Sequence, residues 1–417
     1  MSFKLNKLKA GALQYVLIIS VIIAITLLAF MSFMYVQRQL SIKHDAYKEA
    51  IYNVNNGFDY LKFHSINYNE TINKQFSDNP KESTSLQKKA WGLFDIVTIT
   101  SKINNDFFQK VALMAWKTKN EKSIYLQDNN TPLVLVGKTK IVGDAYLPKQ
   151  GVKSGNIAGN SFYGRTLIFG RELKSNSILP KLNNLNQIKE IYNSSYTNNS
   201  SERFELEEEA TIIRSFKDPT FLYEGDGTIL LQYLNLKGNI IIQSNTKIKV
   251  HSSAKLNDII LIAPEIEILK GVTGNFQAFA SKNIIIEENC KLNYPSSLTL
   301  YSTVDDKKEN KITIAKNTEI KGTIVYLTKN KEKTSYKPQI KLSEEATIVG
   351  EIYSEGNVEL LGNVTGSVTT KNFLTGQFGS IYINHIYNGS INVKDLPKQY
   401  VGLALNPKTK SVAKWLY

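Results

Sequence analysis

The sequence predicts a mainly β protein carried on one helix: an N-terminal transmembrane and stalk α-helix, a small antiparallel sheet, then a parallel β-helix (solenoid). Three observations predict it. An uncharged run of 27 residues spans Ala10–Val36. Short β-branched runs with period-two alternation follow one another from about Gly238 to Asn384, without helical periodicity. One stretch also repeats with a shift of 28, so that Ile312, Ile314, Ile320 and Ile324 recur as Ile340, Leu342, Ile348 and Ile352.

The uncharged run has few polar members (Gln14, Ser20, Thr26 and Ser32) and is apolar on every side. About 20 such residues cross the hydrocarbon core of a bilayer. A cleavable signal peptide has a shorter apolar region, about 7–15 residues, closed by a small-x-small site; here the sequence continues as YVQRQL. Ala10 and Val36 therefore bound a membrane span. Lys4, Lys7 and Lys9 precede it densely, whereas Arg38, Lys43 and Lys48 follow it diluted by Asp45 and Glu49. The positive-inside rule places residues 1–9 in the cytoplasm and the rest outside a cytoplasmic (inner) membrane, as a single-pass protein. Ala46, Tyr47, Ala50, Ile51, Val54, Phe58 and Leu61 recur at helical spacing, so a stalk over 37–64 extends the same helix above the lipid or against a following sheet.

Residues 65–136 read as a loop over 65–85, with Pro80, and then short β runs at 94–99, 107–116, 122–127 and 132–136 in an antiparallel meander. Lys7-Leu8-Lys9-Ala10-Gly11 followed by Ala12-Leu13-Gln14-Tyr15 resembles the leader of minor type IV pilins and pseudopilins. Members of that family also set a long, half-lipidic N-terminal helix on a small antiparallel sheet. The resemblance implies cleavage between Gly11 and Ala12 and partners of the pilus type. The fifth position after that cut, usually glutamate in the family, is Val16. The alternative is a plain anchor with lysines before it.

Residues 137–395 read as the β-helix, its early coils marked by the turn glycines of 143–182, with an Asn/Ser-rich, exposed insertion near 183–209 that ends in the acidic run Glu205–Glu209. No GxGxxG or GxxxxGK[ST] occurs, so a phosphate cradle has no support. The I-x-I…x-I-x-G-x-I texture over 238–393 resembles the bactofilin-like, polymer-forming β-helix proteins, which implies self-association. An uncapped β-helix end is an open sheet edge, and residues 396–417, with Trp415 and Tyr417, read as its cap or as a tail.

The chemistry is sparse. The single Cys290 excludes an intrachain disulfide framework. The net charge of +14 rests on lysine, with only five arginines (Arg38, Arg165, Arg171, Arg203, Arg214), so nucleic acid is not an expected partner. His44, His64, His251 and His385 show no metal spacing, and GxSxG is absent. Asp305-Asp306 is the nearest approach to the paired carboxylates of a glycosidase, and neither Arg203 nor Arg214 lies in a recognisable strand motif. No catalytic, cofactor-binding or metal residue is assigned, and no cofactor is expected. The expectation is a non-enzymatic, membrane-anchored structural or interaction protein of the bacterial envelope, whose partners are membrane lipid, envelope or pilus-type proteins and further copies of itself. The alternative is a tethered carbohydrate-binding or polysaccharide-degrading β-helix, which would use a row of Tyr294, Tyr301, Tyr326 and Tyr353 to stack on sugar rings.

Overall fold

The computed structural model describes residues 11–117, 122–192, 201–207, 209–303, 310–330, 336–405 and 409–416. Ala10, the three leader lysines and Asp305-Asp306 lie outside the described residues. The chain divides into two compact units: one comprises residues up to Tyr60 with Thr71–Leu86 and Ile99–Gln109, the other Leu61–Glu70, Gln87–Thr98 and Lys110–Tyr417.

Helix α1 (Gly11–Phe63) is unbroken over 53 residues, about 80 Å at 1.5 Å per residue. Up to Ile42 its large apolar side chains are exposed. From Ala46 onward a stripe is buried instead: Ala46, Ala50, Val54 and Phe58. In the first unit Ala46 and Ala50 pack on Ile103 and Phe108. The span and stalk of the sequence reading are thus one helix with two surfaces, and Val36 marks no break in it.

A five-stranded sheet runs in the order β1 (Thr71–Lys74), β2 (Glu82–Trp91), β3 (Phe94–Ile103), β4 (Asp106–Lys117) and a C-terminal strand, Thr409–Leu416. The last pairs antiparallel with β4, Lys410 opposite Trp116 and Trp415 opposite Ala112. β3 and β4 were legible as strands, whereas β1 and the start of β2 fall where the sequence reads as loop. The inward positions of β2 are Glu82, Thr84, Leu86, Lys88 and Trp91, mostly polar. Alternation is present in the structure and silent in the hydrophobicity pattern.

The rest of the second unit is a stack of parallel strands in which each coil of chain pairs with the next. One inward ladder reads Ile212, Leu236, Leu256, Gly274, Leu292, Ile320, Ile348, Val364, Ile391, Ile141, each residue opposite the one before it. The repeat read from sequence is a direct register: Ile312 faces Ile340, Ile314 faces Leu342, Ile320 faces Ile348 and Ile324 faces Ile352. Stacked Ile, Leu and Val fill a continuous apolar interior. At one corner Gly322, Gly350 and Gly366 all have φ of +150°, and a Cβ on each would lie 1.8 Å from the carbonyl oxygen of the coil before. This close approach is what the recurring glycine of x-I-x-G-x-I provides.

The last step of the ladder, Ile391 to Ile141, reverses the order of the chain. The coils built from residues 122–174 stack beyond the coil made by 363–393, with Val368 opposite Ile124 and Ile386 opposite Leu135. Lys122–Leu126 and Leu133–Val136 are therefore parallel β-helix strands rather than members of an antiparallel meander. Their runs, SIYL and LVLV, are uniformly buried, the signature of strands covered on both faces. Two further expectations are corrected. Within the insertion near 183–209, Leu185–Ile191 is a short helix, α2, that buries Ile188 and Ile191. Residues 396–405 do not cap an end of the stack: they lie along its side, and 409–416 complete the five-stranded sheet.

Candidate functional site

Two features are built for something beyond a core: the exposed half of α1, and a face of the β-helix that other segments clasp. At the start of α1 the Gly11–Ala12 bond is accessible; Ala12 is exposed and a Cβ at Gly11 would meet nothing within 4 Å. Backbone and polar groups in lipid must be satisfied inside the element that carries them. Ser20 Oγ donates to the Leu17 carbonyl at 2.8 Å, and Thr26 Oγ1 donates to those of Ile22 and Ile23 at 3.0 and 2.9 Å. The helix is long and apolar enough to cross a membrane, and Val16 leaves its apolar half uncharged.

The stalk half is fastened by side chains. Tyr47 meets Phe108 edge-on at 5.5 Å. A Cβ on Gly57 would stand 3.0 Å from Ile99, so glycine lets helix and strand close up. Glu49 accepts from Ser77 Oγ at 2.7 Å and from Asn79 Nδ2 at 3.2 Å. Glu82 gathers the same turn, accepting from the backbone N–H of Phe76 and Ser77 at 2.9 and 2.7 Å and from the hydroxyls of Ser77 and Thr84 at 2.9 and 2.8 Å. Burial pushes the Glu82 carboxyl up, but these donors together hold it below the usual carboxylate range. Asn53, fully buried on the packed stripe, bonds neither amide atom.

On the clasped face, Leu222, Ile241, Ile260, Phe279, Val325 and Tyr353 turn outward from the coils and are covered by Trp91, Phe94, Leu113, Ile188, Val401 and Leu403. Polar side chains pin the covering segments at intervals. Gln277 donates from Nε2 to the Trp91 carbonyl at 3.0 Å and accepts from the Leu93 N–H at 2.8 Å. Asp258 takes both short contacts of the Lys414 ammonium, 2.6 and 2.7 Å. Glu351 accepts from the Leu403 N–H at 2.6 Å. Asp95 pairs with Lys410, both side chains buried, and accepts from the Tyr68 hydroxyl at 2.8 Å. Burial, then the Asp95 charge, raises the Tyr68 phenol far above its ordinary value. Burial also lowers the Lys122 ammonium, with Glu351 opposing it.

The residues marked from sequence are not brought together. Tyr326 points into the β-helix interior. Tyr353 is buried on the clasped face and donates to the Pro180 carbonyl at 3.0 Å. Tyr294 donates to the Val401 carbonyl at 2.9 Å, and Tyr301 stacks edge-on with Tyr192 at 5.5 Å. The exposed tyrosine row that would hold a sugar is absent at these four positions: Tyr326 faces the interior, and the covering segments meet the other three. His44 and His64 are exposed, the first within α1 and the second just after its end. His251 bonds Ser253 Oγ at 2.8 Å, and His385 lies 2.7 Å from the Ile383 carbonyl. Cys290 is buried, its thiol pushed up by burial, and it contacts the Leu269 carbonyl at 3.2 Å. Arg203 pairs with Glu224 and Arg214 with Glu202, each at 2.8 Å. Among the described residues no group of three or more His, Cys, Asp or Glu could hold a metal. The pins Gln277–Trp91, Asp258–Lys414, Glu351–Leu403 and Asp95–Lys410 went unread because each joins residues more than 50 positions apart.

No family model matches the chain, and no curated protein matches it. Among solved structures, the crystal structure of the competence-associated pilin ComZ from Thermus thermophilus aligns with 90% of this chain and 94% of its own, at 10% identity and a TM-score of 0.21. A likeness that slight carries no argument.

Proposed function

We propose that this chain is a membrane-anchored structural subunit of the bacterial envelope, pilin-like in how it is held, that displays a β-helix outside a cytoplasmic membrane and performs no catalysis. The observation that carries the reading is α1: one helix whose first half offers an uncharged, mainly apolar surface and whose second half is fastened to an antiparallel sheet. That division suits a segment that resides in lipid and can later pass into a packed bundle of like helices without unfolding the sheet it carries. The KLKAG–ALQY junction supplies the cleavage site, between Gly11 and Ala12, with an accessible bond.

Intact mass and N-terminal sequencing of the protein from its native membrane test the reading. A mature chain beginning at Ala12 is expected, and Gly11→Val should leave the leader attached. A wild-type chain that keeps its first eleven residues overturns the pilin-like assignment and leaves a simple anchor.

A further inference from the structure

The β-helix carries an antiparallel hairpin among its parallel coils. After the strand Asn363–Gln377 the chain turns back as Ser380–Ile383, pairing antiparallel with Leu374 opposite Ile383 and Gln377 opposite Ser380. The two turn residues, Phe378 and Gly379, both have positive φ, 53° and 76°. A two-residue hairpin asks for this geometry, but Asn or Gly is the residue that adopts it without strain. Here a phenylalanine is held at the tip with 65% of its surface exposed.

The hairpin is apolar on both faces. Tyr382 turns toward Val134, Val136 and Ile157 and covers them. Ile381 and Ile383 turn the other way and remain 54% and 44% exposed. A strand with one solvated face ordinarily alternates with polar residues there. Because Gln377 and Ser380 flank the turn as a bonded pair, the N–H and C=O groups of Ile381 and Ile383 point away from the partner strand, along a free edge. The Ile383 carbonyl is met by His385; among the described residues no strand pairs along the edge. Soluble proteins protect such edges with lysine, proline or a bulge. This one has none of them: Asn372–Val393, 22 residues, contains no Lys, Arg, Asp or Glu, where the chain-wide share of 21% would place about five.

We propose that the Ser380–Ile383 edge is a homotypic docking site, at which two copies of this chain pair hairpin to hairpin as antiparallel strands and bury Phe378, Ile381 and Ile383 of both. Charge singles out the occupant. With a net charge of +14, two copies repel over most of their surfaces, and outside the anchor this is the longest run in the chain where identical residues meet without like charges. Strand addition satisfies the free backbone groups, and two-fold pairing covers both isoleucine faces at once. The site does not depend on the pilin-like reading of α1.

The test uses the full-length protein in detergent. Cys290 is buried, so an engineered cysteine is the only reactive thiol. Under mild oxidation Ile381→Cys should give a disulfide-linked dimer at least tenfold faster than Ile213→Cys, a somewhat more exposed position elsewhere on the β-helix. Association through α1 alone would not separate the two variants. The double variant Ile381→Lys with Ile383→Lys should reduce the dimer fraction at least tenfold while keeping the wild-type circular dichroism spectrum; should it misfold, the cysteine pair still decides. Equal cross-linking of Ile381→Cys and Ile213→Cys overturns the proposal, as does a wild-type protein that binds an unrelated strand peptide at this edge but stays monomeric.

Discussion

The interior of the β-helix and its clasped outer face are both buried and mainly apolar, yet they are specified in opposite ways. Inside, each position of a ladder repeats the chemistry of its neighbours: Ile320 rests on Ile348, Ile324 on Ile352. No single residue is irreplaceable, because its role is shared down the stack. Outside, the cover comes from four distant parts of the chain, near residues 91–96, 111–115, 182–191 and 401–405. Polar pins hold the first and last of these parts, Gln277 at 91–93 and Glu351 at 403, while Asp258 and the Asp95–Lys410 pair fasten the C-terminal strand that pairs with β4. The repeated region should tolerate conservative change, and the pinned region should not.

The sharpest test of that contrast sets Lys410 against Ile324. Lys410→Met leaves the Asp95 carboxylate buried without its cation, a loss of about 3–5 kcal/mol in urea denaturation. Ile324→Val should cost about 0.5–1.5 kcal/mol. The double variant Lys410→Met with Asp95→Asn should recover much of the first loss, since the harm comes from an orphaned charge rather than from a missing contact. Equal losses for Lys410→Met and Ile324→Val would abolish the distinction. Gly350→Ala sharpens it from the other side. It sits on a ladder, but at a corner where a Cβ would lie 1.8 Å from the Gly322 carbonyl oxygen and 2.8 Å from the Tyr400 hydroxyl. A loss of about 1–3 kcal/mol is expected, against a few tenths at Gly227, where the same Cβ would meet nothing.

This contrast also explains what sequence could and could not reveal. The 28-residue shift and the recurrent glycine are local patterns written several times over, and the structure pairs those very residues. The place of residues 122–174 at the far side of the 363–393 coil is written nowhere locally, because a parallel ladder accepts any coil with the right inward Ile, Leu or Val. Polar inward residues hid β2, and the tyrosines read as a row only while the inward turn of Tyr326 and the segments covering the other three were unknown. The apolar half of α1 was legible from composition alone. Its fastening through Glu49 and Glu82 was not, because carboxylates in a polar stretch read as solvated.

That fastening offers the smallest and most selective effect. Glu82 ties residues 76 and 77 to β2, all within the first unit. Its carboxyl is held below its ordinary value in the folded protein, so the folded state prefers the ionised form more than the unfolded chain does. The stabilisation is therefore complete above the ordinary carboxylate value of about 4.5 and is lost as pH falls through the lower folded value. Glu82→Gln should weaken this unit at pH 7 and match the wild type once the pH is low enough to protonate Glu82 in both states. Amide hydrogen exchange at Phe76 and Ser77 reads the difference directly, because their N–H groups are the donors. Protection that falls equally in both proteins between pH 7 and acid would show that the turn is held by packing against the stalk, and that the carboxylate is incidental.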